Sequence, residues 1–417
     1  MIFKRIAYLS IFAIFLLSPF LGMLVSRIPI NIGGVSITGA IKELLQTITI
    51  FSLIFLIMAQ DRIFKSYIAT IAFVFLLVLF FTILRSDNLS LYFEAFRLQI
   101  GYIIIFILLL ITRCDVVGVN LLLKVMSIQL FIVLLVGVIE YINPAIITLL
   151  YGIPKAEMSN VTLAIGDRLI STMENPINLG AFLCIGIVAY YSFIKNNRLF
   201  HFYFWPVWGL CLFEVGFTFS RTAVIAYVFI SLIIAMDRVK NRDVGIFFIM
   251  LLPVLGWGFL GFNLEIDISA IVDRLSILLS GDAISGNQRV YNWNIAFSHF
   301  KSVDDYLFGL GLGMSNPTFD KGGLIIENSF LTYFIDGGII GLLVYFIINI
   351  IFLFKIITNK TENRLFFFCF YLVFFIFSLA NDFNRNFPFV FYYWMLFYIV
   401  CFEMKKSITE EVDFNES

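Results

Sequence analysis

The chain is built of long apolar runs separated by short polar breaks. A helix needs roughly 20 apolar residues to cross the hydrocarbon of a bilayer. Runs of about that length fall at 6–25, 40–59, 66–84, 95–112, 119–142, 177–194, 203–219, 222–236, 244–262, 329–354, 365–380 and 388–403. They predict an all-α polytopic membrane protein, one membrane domain over 1–417 with about twelve transmembrane helices. The first run follows Lys4 and Arg5 as in a signal peptide, but no clean small-x-small cleavage site follows it, so it reads as the first span. No internal repeat, paired halves or broken span is visible.

Two breaks are long, 143–176 and 263–328. Loops of that length are usually functional. In the second, apolar residues from Ile268 to Leu279 recur at helical spacing and predict a helix lying on the membrane face. A further helix is predicted over 287–301, capped by Asn287, with Val290, Trp293, Phe297 and Phe300 as its stripe. A glycine-rich turn follows, Gly309-Leu310-Gly311-Leu312-Gly313.

Composition agrees. The chain is 61% hydrophobic and 13% charged, with mean hydropathy +0.99, against roughly 25% charged residues in soluble domains. Formal net charge is zero, which excludes a strongly basic nucleic-acid binder. Five cysteines without a CxxC pair and two distant histidines define neither a disulfide framework nor a metal site. Glu265-x-Asp267 and Asp304-Asp305 read as solvated loop, and neither a Walker A nor a Rossmann fingerprint occurs. No metal and no cofactor is expected.

Basic residues set the expected orientation. With the N-terminus inside, the cytoplasmic side holds seven arginines and nine lysines, the outer side eight and four. That bias fits the positive-inside rule and places both termini in the cytoplasm and both long loops outside, which for a bacterium is the periplasmic face of the inner membrane. The outer arginines are Arg27, Arg85, Arg97, Arg168, Arg221, Arg274, Arg289 and Arg385. Each asks for an anionic partner, and the guanidinium fork matches a phosphate or diphosphate. Outer carboxylates or lipid headgroups would satisfy them equally.

Four patches stand out. Arg221 sits in Ser220-Arg221-Thr222-Ala223 between two apolar runs, held at the membrane edge or snorkelling to it. Arg289 lies four residues before Trp293, which puts a cation and a ring on one helix face, as a sugar phosphate would want; Trp293 could equally be loop core. Arg168 precedes Glu174-Asn175-Pro176-Ile177-Asn178-Leu179-Gly180, a turn into a helix whose glycine permits close packing. Glu327-Asn328-Ser329 lies where the long loop meets a span, with Asp336 nine residues on. A carboxylate there can act as a base, though Glu327 could cap the helix and Asp336 could belong to an ion pair.

In order and spacing these patches resemble the O-antigen polymerase and O-antigen ligase superfamily of bacterial membrane proteins, over roughly residues 160–345. Ligases of that group usually carry His-Asn at the last patch, where this chain has Glu327-Asn328, and that departure favours a polymerase. The resemblance implies metal-independent, inverting polymerisation of repeat units linked to undecaprenyl diphosphate. Donor and acceptor glycans on that carrier would be the partners, with the bilayer and a chain-length regulator protein beside them. It implies that Arg168, Arg221 and Arg289 hold the departing diphosphate and that Trp293 and Asn328 contact substrate. Glu327 would accept the acceptor proton, with Asp336 and Glu174 behind it. The rival readings are a ligase that transfers glycan to lipid A core and an exporter of lipid-linked glycan.

Overall fold

The computed structural model describes residues 2–27, 31–32, 35–60, 66–86, 88–114, 117–155, 168–195, 201–239, 284–315, 326–358 and 361–415. In these the chain is helical apart from one small β-ladder. The elements are α1 (Ile2–Leu17), α2 (Leu21–Arg27), β1 (Asn31–Ile32), β2 (Val35–Ser36), α3 (Ile37–Met58), α4 (Tyr67–Phe81), α5 (Leu89–Thr112), α6 (Val119–Ile142) and α7 (Ala145–Tyr151). They continue with α8 (Pro176–Ile194), α9 (His201–Phe217), α10 (Arg221–Val239), α11 (Ile284–Ser298), α12 (Val303–Phe308), α13 (Ser329–Thr358), α14 (Arg364–Ala380) and α15 (Phe389–Asn415). The two strands pair antiparallel, Asn31 with Ser36 and Ile32 with Val35.

Every predicted span except 244–262 coincides with helix, and 244–262 lies outside the described residues together with the helix expected over 268–279. Among the described residues six helices are long and apolar enough to cross a membrane. The first predicted span is interrupted after Leu17 by a turn before α2.

Burial identifies the centre of the bundle. In α8, 83% of the apolar window is buried, against 22% in α3, so α8 is the inner helix and α3 a peripheral one. It packs on α6, α9, α10 and α14. Gly180 permits that closeness, since a Cβ there would stand 2.5 Å from the Ala223 Cβ on α10.

The span at 329–358 differs from its expected continuous form. At Gly338 the backbone turns to φ +66°, so α13 is two helical pieces around a break. Side-chain and backbone sterics leave that conformation to glycine, and a Cβ there would come within 2.3 Å of the Leu307 carbonyl. The break admits the glycine-rich turn: Leu310 N–H donates to the Ile335 carbonyl at 2.7 Å and Gly311 N–H to that of Asp336 at 3.1 Å. Exposed carbonyls in an apolar bundle are thereby satisfied by the loop.

Candidate functional site

Two of the three segments with positive-φ non-glycine residues meet here, the third being Arg113 after α5. Ser171 and Glu174 have φ of +48° and +59° before α8, and Phe219 has φ +47° between α9 and α10. Non-glycine residues rarely adopt these angles without surrounding structure that imposes them. For the first segment the imposing group is Glu140, buried on α6. Its carboxylate accepts Ile170 N–H at 3.1 Å and Ser171 N–H at 2.7 Å and pairs with Lys155 at 2.8 Å. Tyr151 adds a hydroxyl that donates to the Ser171 carbonyl at 2.9 Å and accepts Glu174 N–H at 3.0 Å. The two segments meet where Arg168 Nε donates to the Thr218 carbonyl at 2.6 Å and Leu169 N–H to that of Phe217 at 3.1 Å. Arg221 opens α10 three residues later, with an exposed side chain. Asn175 and Ser220 cap α8 and α10.

The second neighbourhood lies at the head of α13. Asn328 is its N-cap, accepting from Phe330 N–H at 2.9 Å and Leu331 N–H at 3.0 Å, while its amide donates to the Leu379 carbonyl at 2.9 Å. Glu327, just before the cap, is ion-paired with Arg289 of α11, and the two side chains keep 43% and 39% of their surface exposed. Helix capping is therefore the task of Asn328, and Glu327 is left to Arg289. Trp293 packs beside Ala296, Phe300, Ile326 and Ile335 in a small apolar cluster apart from the main core. Its Nε1 is buried without a hydrogen-bond partner among the described residues.

The predicted helix over 287–301 instead begins at Ile284, so Asn287 lies inside it rather than at its N-cap position. Asp304 and Asp305, expected as solvated loop, open α12. Ser302 and Asp305 form its capping box, and Asp305 also pairs with Arg85, whose Nε donates to the Gly309 carbonyl at 2.9 Å. Backbone N–H donors from Lys301 and Ser302, then Arg85, hold the Asp305 carboxyl below the usual carboxylate range.

Asp336 has other partners than a substrate proton. Its oxygens accept Gly313 N–H at 3.0 Å, Ser315 N–H at 3.1 Å and Ser315 Oγ at 2.9 Å, and it is ion-paired with Arg385. Both residues are buried. Arg385 also donates to Ser315 Oγ at 2.8 Å and lies 3.6 Å from Asp382. This geometry is the ion pair that the sequence also allowed.

The loop 381–388, between α14 and α15, is the hub that sequence reasoning missed. Its Asn381 carbonyl and Phe383 N–H both bind Ser329 Oγ, at 3.0 Å each. Arg385 reaches Asp336, and Asn386 exchanges amide hydrogen bonds with Asn178 of α8 at 2.6 and 3.2 Å. One short loop thus ties the heads of α8 and α13. Glu140 was also missed. A lone carboxylate in an apolar span was the available signal for it.

Among the described outer arginines, Arg97 lines a cavity of about 640 Å³ and Arg85 a separate one of about 470 Å³; neither lining includes Arg168, Arg221 or Arg289. Arg168 shares the turn before Arg221, and Arg289 stands with Glu327 and Trp293. Arg274 lies outside the described residues, as does the side chain of Arg27.

No curated protein matches the chain. Residues 206–346 match the family model described as O-antigen ligase. That segment contains Arg221, Arg289, Trp293, Glu327, Asn328 and Asp336, and leaves Arg168 and Arg385 outside it. About a third of this membrane protein, residues 206–346, is therefore similar to the O-antigen ligase family, which is consistent with the O-antigen polymerase and ligase superfamily.

Proposed function

We propose that this protein polymerises glycan repeat units linked to undecaprenyl diphosphate at the outer face of the bacterial inner membrane. The observation that carries this reading is the Arg289–Glu327 pair at the head of α13. In the transfer, an acceptor hydroxyl attacks the donor's anomeric carbon as the bond to the diphosphate breaks. The hydroxyl proton goes to Glu327 and the growing negative charge to guanidinium groups, so one step inverts the anomeric centre. Ion pairs as exposed as this one contribute about 0–1 kcal/mol, so substrate can exchange for it at little cost. Arg289 then turns to the diphosphate and Glu327 to the hydroxyl. Arg221 supports the same reading: a cation at the positive end of the α10 dipole is disfavoured alone and favoured beside an anion. Arg168, docked on the preceding turn, extends that anion-binding edge. Trp293 and Asn328 belong to the substrate-contacting shell only through the ring and the amide that flank the pair.

The family description favours a second reading, a ligase that moves the glycan to lipid A core. The exporter reading has less support. Transporters use broken spans to bind cargo, whereas the break in α13 is filled by this chain's own Gly309–Ser315 turn. Purified protein given a defined lipid-linked repeat unit tests all three. A ladder of products is expected. Transfer to added lipid A core alone would establish the ligase instead, and absence of any covalent product would remove both.

A further inference from the structure

The larger cavity lies outside the family-matched segment, among the turn after α1, the starts of α3 and α5, the 172–178 segment and the end of the 381–388 loop. Its ionisable lining residues are Lys42, Arg97, Glu43 and Glu174, two cations against two carboxylates. Both cations already lean on Glu43, Lys42 at 3.3 Å and Arg97 at 3.8 Å. A diphosphate asks for an excess of positive charge, which this lining lacks. A polyhydroxylated ligand asks for something else: donors and acceptors in alternation, planar amides, and an apolar wall. Asn178 supplies an amide, held in place by Asn386. Phe387 and Pro388 supply the wall, with the Lys42 ammonium 5.2 Å from the Phe387 ring centre. Glu43 keeps one buried oxygen, Oε2, without a hydrogen-bond partner among the described residues, an acceptor that a hydroxyl would satisfy. A volume of about 640 Å³ falls within the range of about 300–1,000 Å³ found for small-molecule sites.

Position relates this cavity to the proposed chemistry. Asn381 is tied to Ser329, two residues from Glu327, and Phe387 lines the cavity. Six residues of chain span at most about 22 Å, within reach of an oligosaccharide of several sugars. We propose that this cavity is the acceptor subsite, binding the neutral sugar portion of the repeat unit while its terminal hydroxyl reaches toward Glu327. The proposal rests on the polymerase reading, and its test separates the two.

The probe is the oligosaccharide freed by mild acid from the cell's own lipid-linked repeat unit and labelled at its reducing end. Equilibrium binding is measured on the full-length protein in detergent. Wild type is expected to bind it saturably, and excess inorganic pyrophosphate should not compete. Ala40→Trp, which fills the cavity, and Glu43→Gln, which keeps its shape, should each weaken binding by about tenfold or more. No saturable binding to wild type, competition by pyrophosphate, or undiminished binding in both cavity variants would overturn the proposal. Saturable, cavity-dependent binding with no product ladder from the lipid-linked unit would keep the sugar site and remove the polymerase reading.

Discussion

Two arginine–carboxylate pairs meet α13, and they differ in almost everything except their chemistry. Arg289–Glu327 stands at its head with about two-fifths of each side chain exposed, 39% and 43%. Arg385–Asp336 stands two helical turns further on, at the break, with side-chain exposures of 6% and 0%. Coulomb attraction between unit charges grows as the surroundings become less polar, and so does the cost of leaving one charge alone. The exposed pair can therefore open and close around a charged substrate. The buried pair cannot, and its ring of donors from Gly313 and Ser315 shows what it does instead: it fastens the glycine-rich turn into a broken helix. A motif search sees four charged residues of equal weight. Their environments separate the pair that is open to exchange from the pair that is locked in the bundle.

The largest effect should come from halving the buried pair. Arg385→Ala strands two carboxylates in the bundle, at a cost of about 3–5 kcal/mol, whereas Asp336→Ala leaves Arg385 its Asp382 partner but deprives the Gly313 and Ser315 donors of their acceptor, at about 1–3 kcal/mol. We expect the larger loss of detergent-stable protein from Arg385→Ala, measured as monodisperse yield and thermal midpoint. Removing both charges together, as Asp336→Leu with Arg385→Met, should recover stability relative to Arg385→Ala, which leaves two carboxylates without a cation. Stable single variants would mean that the burial contrast is not the distinction between the two pairs.

Halving the exposed pair should do the reverse. Glu327→Gln should leave the thermal midpoint near that of wild type, since such pairs contribute about 0–1 kcal/mol, while polymer formation falls by about 10²-fold or more. Arg289→Ala should behave alike, and Arg289→Lys should restore activity only in part, because an ammonium lacks the two-pronged donor geometry. Near-normal ladders from Glu327→Gln would remove the base from that position. Arg221→Ala tests the other neighbourhood; loss of product with unchanged stability is expected there too. Activity equal to wild type would detach the α10 edge from the diphosphate.

Much of this contrast was legible in the sequence, and some was not. Apolar runs located the helices because the bilayer demands length and hydropathy from each segment alone. Gly180 and the Gly309–Gly313 turn were visible because only glycine tolerates the close contacts and positive φ they require. The partnership of Arg289 with Glu327 was not, for it joins residues 38 apart through a loop. The place of Arg385 was hidden further still. It reads as one outer arginine among eight, and only the docking of 381–388 onto α8 and α13 brings it to Asp336. The break at Gly338 was invisible to hydropathy, because the apolar runs that flank Asp336-Gly337-Gly338 average out as one span.

The smallest effect sharpens the comparison through charge count. The exposed site pairs one arginine with one carboxylate. The buried site gives Arg385 two, Asp336 and Asp382. One negative charge is in excess there, and Asp382, in the loop, takes the penalty: burial first, and the charge on Asp336, push its carboxyl up to about 6 despite the opposing pull of Arg385. An acid whose folded pKa lies above its unfolded value binds its proton more readily in the folded state, so folding is favoured at low pH. Stability should fall as pH rises from about 4 through about 6, by up to about 3 kcal/mol for a shift of this size, and stay level above it. Asp382→Asn removes the titrating group. Its thermal midpoint should therefore change less than that of wild type between pH 4.5 and 7.5, and at pH 7.5 the variant should equal or exceed wild type. A variant with the same pH slope as wild type would show that the excess charge is carried elsewhere. A variant destabilised only at pH 7.5 would show that Arg385 needs both carboxylates ionised, which would make the buried site a balanced triad rather than a pair with a spare charge.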